Sequence, residues 1–206
     1  MPEGDTLHRT AATLQRAIGG QVITRFESAY AHLAVVDDQS AIAGRTIARV
    51  RALGKHLLIH VTAAPTPEER THTPAPSPKA RRPDPLAGPL VLRTHMRMSG
   101  AWHIYQPGER WRVRASSVRI RIDTTPWVAL GVNVPLAEFV TEAALERHAP
   151  LARLGPDLLG DTFDAPAAAA RLATAGATPV GEALLDQRLV AGIGNVLRSE
   201  VLFLAG

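Results

Sequence analysis

The sequence contains no cysteine among its 206 residues. That one absence removes disulfides, thiolate metal centres and cysteine nucleophiles from consideration. No apolar run approaches the roughly 18 residues needed to cross a bilayer. The N-terminus, MPEGDTLHRT, has neither the basic start nor the apolar stretch of a secretory signal. Together these absences predict a soluble intracellular protein without a membrane partner. No internal repeat is visible. The 8 histidines form no tight cluster; His56 and His60, four apart on a strand, would lie about 13 Å apart on one face at the usual rise, too far to share a metal unless the strand bends. No metal site is expected.

What is present is an ordinary globular composition with a basic balance. A hydrophobic content of 46% supports a buried core in one large domain or two small ones. A net charge of +4 and a pI near 10.3 favour a polyanionic partner, of which nucleic acid is the commonest, with a merely solvated basic surface as the bland alternative.

Residues 5–18 read as a helix capped by Asp5 or Thr6: Leu7, Ala11, Leu14 and Ile18 share a face, and Gly19-Gly20 ends it. Strands are expected at 21–27, 46–52, 55–61, 90–95, 101–105, 117–122 and 127–132, with Gly54 turning the second into the third. In SVRIRID, Val118, Ile120 and Ile122 alternate with Arg119 and Arg121, giving one buried and one basic face. Between them, residues 62–89 hold eight of the 16 prolines, a composition that predicts a surface excursion. Its Lys79, Arg81 and Arg82 read as a solvated linker or as a brush against nucleic acid. Beyond residue 140 the pattern turns helical, at 141–148, 165–175, 180–187 and 195–204. Strands first and helices after indicate α+β layers rather than a wound parallel sheet.

Three short stretches carry chemistry. A small residue behind the initiator Met usually leads to its removal, leaving Pro2 as a secondary amine with a pKa of about 8. Such an amine can attack an electrophilic sugar carbon and give an iminium ion, and the neighbouring Glu3 suits proton transfer. The helix starting near Asp5 directs its positive end here, which favours a nearby phosphate. Arg97-Met98-Ser99, at a strand end before Gly100, places a long apolar side chain beside an arginine on a turn. Met98 is a core residue or a wedge for a base stack. In GIGN, Gly192 and Gly194 allow close backbone approach and Asn195 can cap the last helix, forming an anion site or a plain helix–helix turn. No phosphate-loop lysine accompanies it. Lys55, after Gly54, is a phosphate ligand or a solubilising turn residue.

In order along the chain, MPEG, LGKHLL, THMRMSG, LGPD and LLDQRLVAGIGNVLRSEVLF resemble the formamidopyrimidine-DNA glycosylase/endonuclease VIII family. The resemblance runs from Pro2 to the last residues apart from the proline-rich insertion. MPEGDT is most similar to the actinobacterial endonuclease VIII branch. The resemblance implies an N-terminal eight-stranded β-sandwich with an N-terminal helix over residues 1–135, and a helix–two-turn–helix domain over 136–206, gripping double-stranded damaged DNA as a monomer near the nucleoid. It implies a base-excision repair glycosylase and abasic-site lyase that removes oxidised pyrimidines. Pro2 forms the Schiff base, Glu3 protonates the sugar ring oxygen, and β- then δ-elimination leaves a one-nucleotide gap. Lys55 and Asn195 would hold flanking phosphates, while Met98, with Arg97 and Ser99, fills the emptied stack.

The sequence also departs from the pattern. Many family members carry a second acid three residues after the glutamate, where this chain has Thr6 with Asp5 beside it. They continue into a four-cysteine zinc finger with a phosphate-binding arginine, whereas this sequence stops at Leu204-Ala205-Gly206, so no zinc or other cofactor is expected in it. A non-catalytic or lyase-only damaged-DNA-binding protein is therefore the alternative. Any molecule that retains Met1 has a blocked nucleophile.

Overall fold

Helix α1 (Gly4–Ile18) forms where the 3–4 spacing of apolar residues predicts it: Leu7, Ala11, Leu14 and Ile18 are buried. The computed structural model describes residues 3–64 and 86–206. The N-cap of α1 is Glu3 rather than Asp5 or Thr6. Asp5 lies inside the first turn, where it pairs with Arg9 one turn on, at 2.8 Å.

The stretch expected as a strand at 21–27 is divided. Ile23 exchanges backbone hydrogen bonds with Gly44 and Arg45, and Val22 bridges Thr46, so the chain crosses between sheets before β1 (Arg25–Ser28) begins. Helix α2 (Ala31–Ser40) had no counterpart in the sequence reading. Only Leu33 and Ser40 of it are buried, so it carries no apolar stripe to betray it.

The strands β2 (Ile47–Leu53), β3 (His56–Val61), β4 (Leu90–His95), β5 (Ala101–Tyr105), β6 (Val118–Asp123) and β7 (Val128–Val132) fall within a residue or so of expectation. The eighth strand that the resemblance implies, which local pattern did not locate, is β8 (Leu136–Thr141). It pairs antiparallel with β4 from Leu90↔Thr141 to His95↔Leu136. The expected division at residue 135 thus falls just before a strand of the sandwich.

Two four-stranded antiparallel sheets result, ordered β1-β6-β7-β5 and β2-β3-β4-β8. Their facing sides share one core with α1 and α2: Phe26, Ile120, Ile122 and Ala129 from one sheet meet Val50, Leu57, Ile59, Leu90 and Leu92 from the other. Ile120 and Ile122 are buried as predicted, but Val118, beyond a register shift, is only half-buried and packs with Tyr105 and Leu130 instead; Arg121 on the opposite face stacks over Trp111 and pairs with Asp123. Arg45, fully buried, donates to the carbonyls of Ser40, Ala41, Thr62, Leu86 and Gly88. It ties both flanks of the proline-rich segment to the sandwich.

The helical part contains α3 (Glu142–Glu146), α4 (Ala149–Ala152), α5 (Ala165–Ala173), α6 (Val180–Ala183) and α7 (Asn195–Ala205). Thr141 and Asp164 cap α3 and α5 by accepting from Ala144 and Ala167. A small core of Ala168, Leu184, Val190 and Ile193 joins α5, α6 and α7, whereas Leu145 of α3 and Leu151 of α4 pack with Leu58 and Val91 of the sandwich. The fold is therefore α+β with strands and helices segregated. Among the described residues, no helix is long and apolar enough to cross a membrane.

Candidate active site

The two motifs at opposite ends of the chain meet. Glu3 is 2% exposed. Its Oε1 accepts the Val196 N–H at 2.8 Å and its Oε2 the Leu197 N–H at 2.9 Å. Both donors belong to the first turn of α7, whose N–H groups have no intrahelical partners. Next to this contact the Gly4 N–H donates to the Gly192 carbonyl at 2.8 Å.

Glycine is required on both sides of that seam. A Cβ on Gly194 would lie 2.4 Å from the Glu3 carboxyl carbon, and one on Gly4 would lie 2.8 Å from Gly192 Cα. Gly192 also has φ +99°, in the left-handed region. The glycines of GIGN therefore admit the N-terminal segment.

This geometry corrects one part of the reading of GIGN, that Asn195 caps the last helix. The N-cap of α7 is Gly194, Asn195 is its first helical residue, and the Val196 and Leu197 N–H groups are taken by Glu3. Asn195 itself is exposed beside this junction. Pro2 lies outside the described residues, as do Lys79, Arg81 and Arg82.

Lys55 is half-buried at the β2–β3 turn. Burial lowers its pKa below the ordinary lysine value, and the opposing charge of Glu3 works in the other direction. The turn is fixed from the helical side. Gly54, at φ +55°, donates its N–H to Asp157 Oδ2 at 2.5 Å. Asp157 also accepts from the Leu159 N–H at 3.1 Å and from His8 Nε2 at 3.3 Å. Sequence reasoning saw Asp157 only as the last letter of LGPD. Its position as the link between α1, the Lys55 turn and the helical part has no local signal. A groove of about 770 Å³ runs from this link along α1 and β2, but neither Glu3 nor Lys55 is among its lining residues.

Behind the turn sits a polar cluster that the sequence reading also missed. His56 Nδ1 receives Arg93 Nη1 at 3.0 Å, and Arg93 pairs with Glu138, which also accepts from His148. Burial, followed by the charges of His95, Arg93 and His148, pushes the His56 pKa down to about 3. His60 instead faces Glu142 and Arg51. The two histidines weighed as a metal pair thus have separate partners.

Arg97, Met98 and Ser99 form the exposed turn between β4 and β5. The two methionines there divide their roles: Met96 is 2% exposed and anchors the turn, whereas Met98 is 70% exposed at its tip. A core role for Met98 is thereby ruled out. Arg97 adopts φ +48°, rare for a residue with a side chain. The turn closes with the Gly100 N–H on the Met96 carbonyl at 2.8 Å.

The residues present do not suit the zinc site that the family resemblance implies. The chain has no cysteine, and among the described residues no three or more His, Asp or Glu side chains converge on a metal position.

Comparison with known proteins agrees with this layout. The formamidopyrimidine-DNA glycosylase N-terminal domain matches residues 1–131, and the formamidopyrimidine-DNA glycosylase H2TH domain matches residues 154–206. A probable endonuclease 8 2 of Streptomyces coelicolor is 36% identical over all of this chain and 64% of its own length. Endonuclease 8 2 of Mycobacterium tuberculosis is 35% identical, with 100% of this chain and 69% of the relative covered. A Mycolicibacterium smegmatis protein named DNA-(apurinic or apyrimidinic site) lyase Nei2 is 33% identical, again over the whole chain and 68% of its own length. The chain thus spans about two thirds of the length of these relatives. Among solved structures, Lactococcus lactis Fpg in complex with abasic-site DNA superposes with a TM-score of 0.68 at 21% identity, covering 100% of this chain and 66% of that one. With sandwich and helical parts each matched, the chain belongs to the formamidopyrimidine-DNA glycosylase/endonuclease VIII family, alongside endonucleases 8 of actinobacteria.

Proposed function

We propose that the chain is the catalytic and helix–two-turn–helix portion of a bifunctional DNA glycosylase and abasic-site lyase acting on oxidised pyrimidines in duplex DNA. The observation that carries this reading is the buried Glu3 carboxylate. It is clamped by the start of α7, is close enough to Lys55 to act on its charge, and is joined in sequence to Pro2.

Once Met1 is removed, the Pro2 amine, with a pKa of about 8, is partly unprotonated at neutral pH. It attacks the sugar C1′; the C–N bond forms as the bond to the damaged base breaks and the base leaves with a proton. Glu3, protonated by the proton that the Pro2 ammonium gives up on becoming the nucleophile, delivers that proton to the ring oxygen as the sugar opens, leaving an iminium ion. Loss of the C2′ proton then expels the 3′ phosphate, and a second elimination expels the 5′ phosphate. Water hydrolyses the iminium and restores the amine. Lys55 and Asn195 hold the flanking phosphates, and Met98 fills the vacated stack. The net charge of +4 favours the polyanion throughout.

A second reading, cleavage of existing abasic sites without base removal, draws support from the name of the Mycolicibacterium smegmatis relative. Borohydride trapping of the Met1-free protein separates the two. The proposal expects covalent adducts on oligonucleotides carrying either an oxidised pyrimidine or a ready-made abasic site; trapping on the abasic site alone favours the second reading. Protein retaining Met1 should trap neither, because its proline nitrogen is an amide. Equal trapping with Met1 present would assign the nucleophile to another amine, with Lys55 the first candidate.

A further inference from the structure

We propose that His95 is a positioning residue: its Nδ1 holds the Arg97–Met98 turn in shape, and its ring edge against His56 ties that turn to Lys55. The inference rests on the reading above that Met98 enters the DNA stack.

His95 ends β4 and is half-buried, opposite Leu136 of β8. Its Nδ1 accepts the Arg97 N–H at 3.0 Å. That bond falls on the residue whose backbone needs help, because Arg97 at φ +48° carries a side chain in a region that glycine occupies freely. Held there, Arg97 turns the chain so that Met98 stands out at 70% exposure while Met96 stays in the core. On its other side, the His95 ring meets His56 edge to face, with centroids 4.8 Å apart and planes at 84°. His56 directly follows Lys55 and is itself held by Arg93, which Glu138 anchors. A continuous series of contacts therefore joins the phosphate-facing turn to the wedge turn.

The Arg97 N–H can donate only to an unprotonated Nδ1, so the ring must be neutral with its proton on Nε2. The surroundings agree: burial, then the charges of Arg97, Arg93 and Lys55, lowers the His95 pKa. A group that merely filled space at this point would need neither the bare nitrogen nor the excess of positive neighbours.

Substitution distinguishes the nitrogen from the ring. Asparagine places Oδ1 at the same bond distance from the backbone as Nδ1, whereas glutamine places its polar atoms one bond farther, near the position of Nε2. The readout is the fluorescence of 2-aminopurine opposite a tetrahydrofuran abasic analogue in duplex DNA, which rises when a wedge unstacks it, measured at saturating protein. Wild type and His95→Asn should give the same rise within about twofold, and His95→Gln should lose at least fivefold of it. Adding Arg97→Gly to His95→Gln should restore the rise, because glycine adopts the turn conformation without the imidazole. Met98→Ala tests the underlying reading separately. If the rise survives in Met98→Ala, the wedge assignment fails whatever His95 does. If Met98→Ala abolishes it while His95→Gln retains it, or if Asn and Gln are equally impaired, the positioning role is overturned and the wedge stands.

Discussion

Replacing Gly194 with alanine alters no reacting group, yet it should damage the site more than most surface changes. Gly194 has φ −122° and ψ −167°, extended backbone that alanine adopts without strain. The obstacle is Glu3: the added methyl would lie 2.4 Å from its Cδ and Oε1, about 1 Å inside ordinary contact. Either α7 moves away or the carboxylate leaves the Val196 and Leu197 N–H groups. Forcing a methyl into filled space costs about 1–3 kcal/mol, and hydrogen bonds to a charged group contribute about 1.5–3 kcal/mol each. With partial relaxation, a loss of about 2–4 kcal/mol is expected, which for a chain of this size lowers the Tm by on the order of 10 °C. Because Glu3 is displaced, borohydride trapping on an oxidised pyrimidine should fall at least tenfold even at temperatures where the protein remains folded. Circular dichroism melting and the trapping gel measure the two effects independently. An unchanged Tm together with unchanged trapping would refute the claim that the GIGN backbone is shaped around Glu3.

The proline-rich insertion should be removable only in part. Replacing residues 66–84 with a short Gly-Ser turn is expected to leave the urea midpoint nearly unchanged, since closure entropy varies slowly with loop length. Extending the replacement over 64–87 should lower it clearly, because the Leu86 carbonyl is a partner of the fully buried Arg45. A separate expectation concerns acid. Folding holds His56 neutral down to about pH 3, whereas the unfolded chain takes up that proton near 6.5. The unfolded state therefore binds more protons between those values, and stability should fall as the pH drops from 6.5 towards 3, by at most about 1.4 kcal/mol per pH unit for this group. Urea unfolding of the wild type and His56→Gln at pH 7 and pH 5 checks it: the variant should lose less stability between the two, and an identical loss would exclude His56 as the cause.

Local pattern was enough to locate α1, whose Leu7, Ala11, Leu14 and Ile18 keep helical spacing, and β4 and β5, whose bounds at Leu90–His95 and Ala101–Tyr105 were read directly. It was also enough to bring together the short motifs that mark the family, because a reactive residue beside a turn glycine is legible in any sequence. Tertiary structure alone decided α2, which buries little besides Leu33, and located β8, which becomes a strand by pairing with β4 although β5, β6 and β7 lie between them in the chain. It alone placed Glu3 against α7, some 190 residues away in sequence, joined Asp157 to Gly54, and set His95 between the Lys55 and Met98 turns. The physical reason is the same in each case. Periodicity, capping and turn chemistry are properties of neighbours along the chain, whereas these contacts arise only when burying the shared core draws distant backbone donors and side chains to one point.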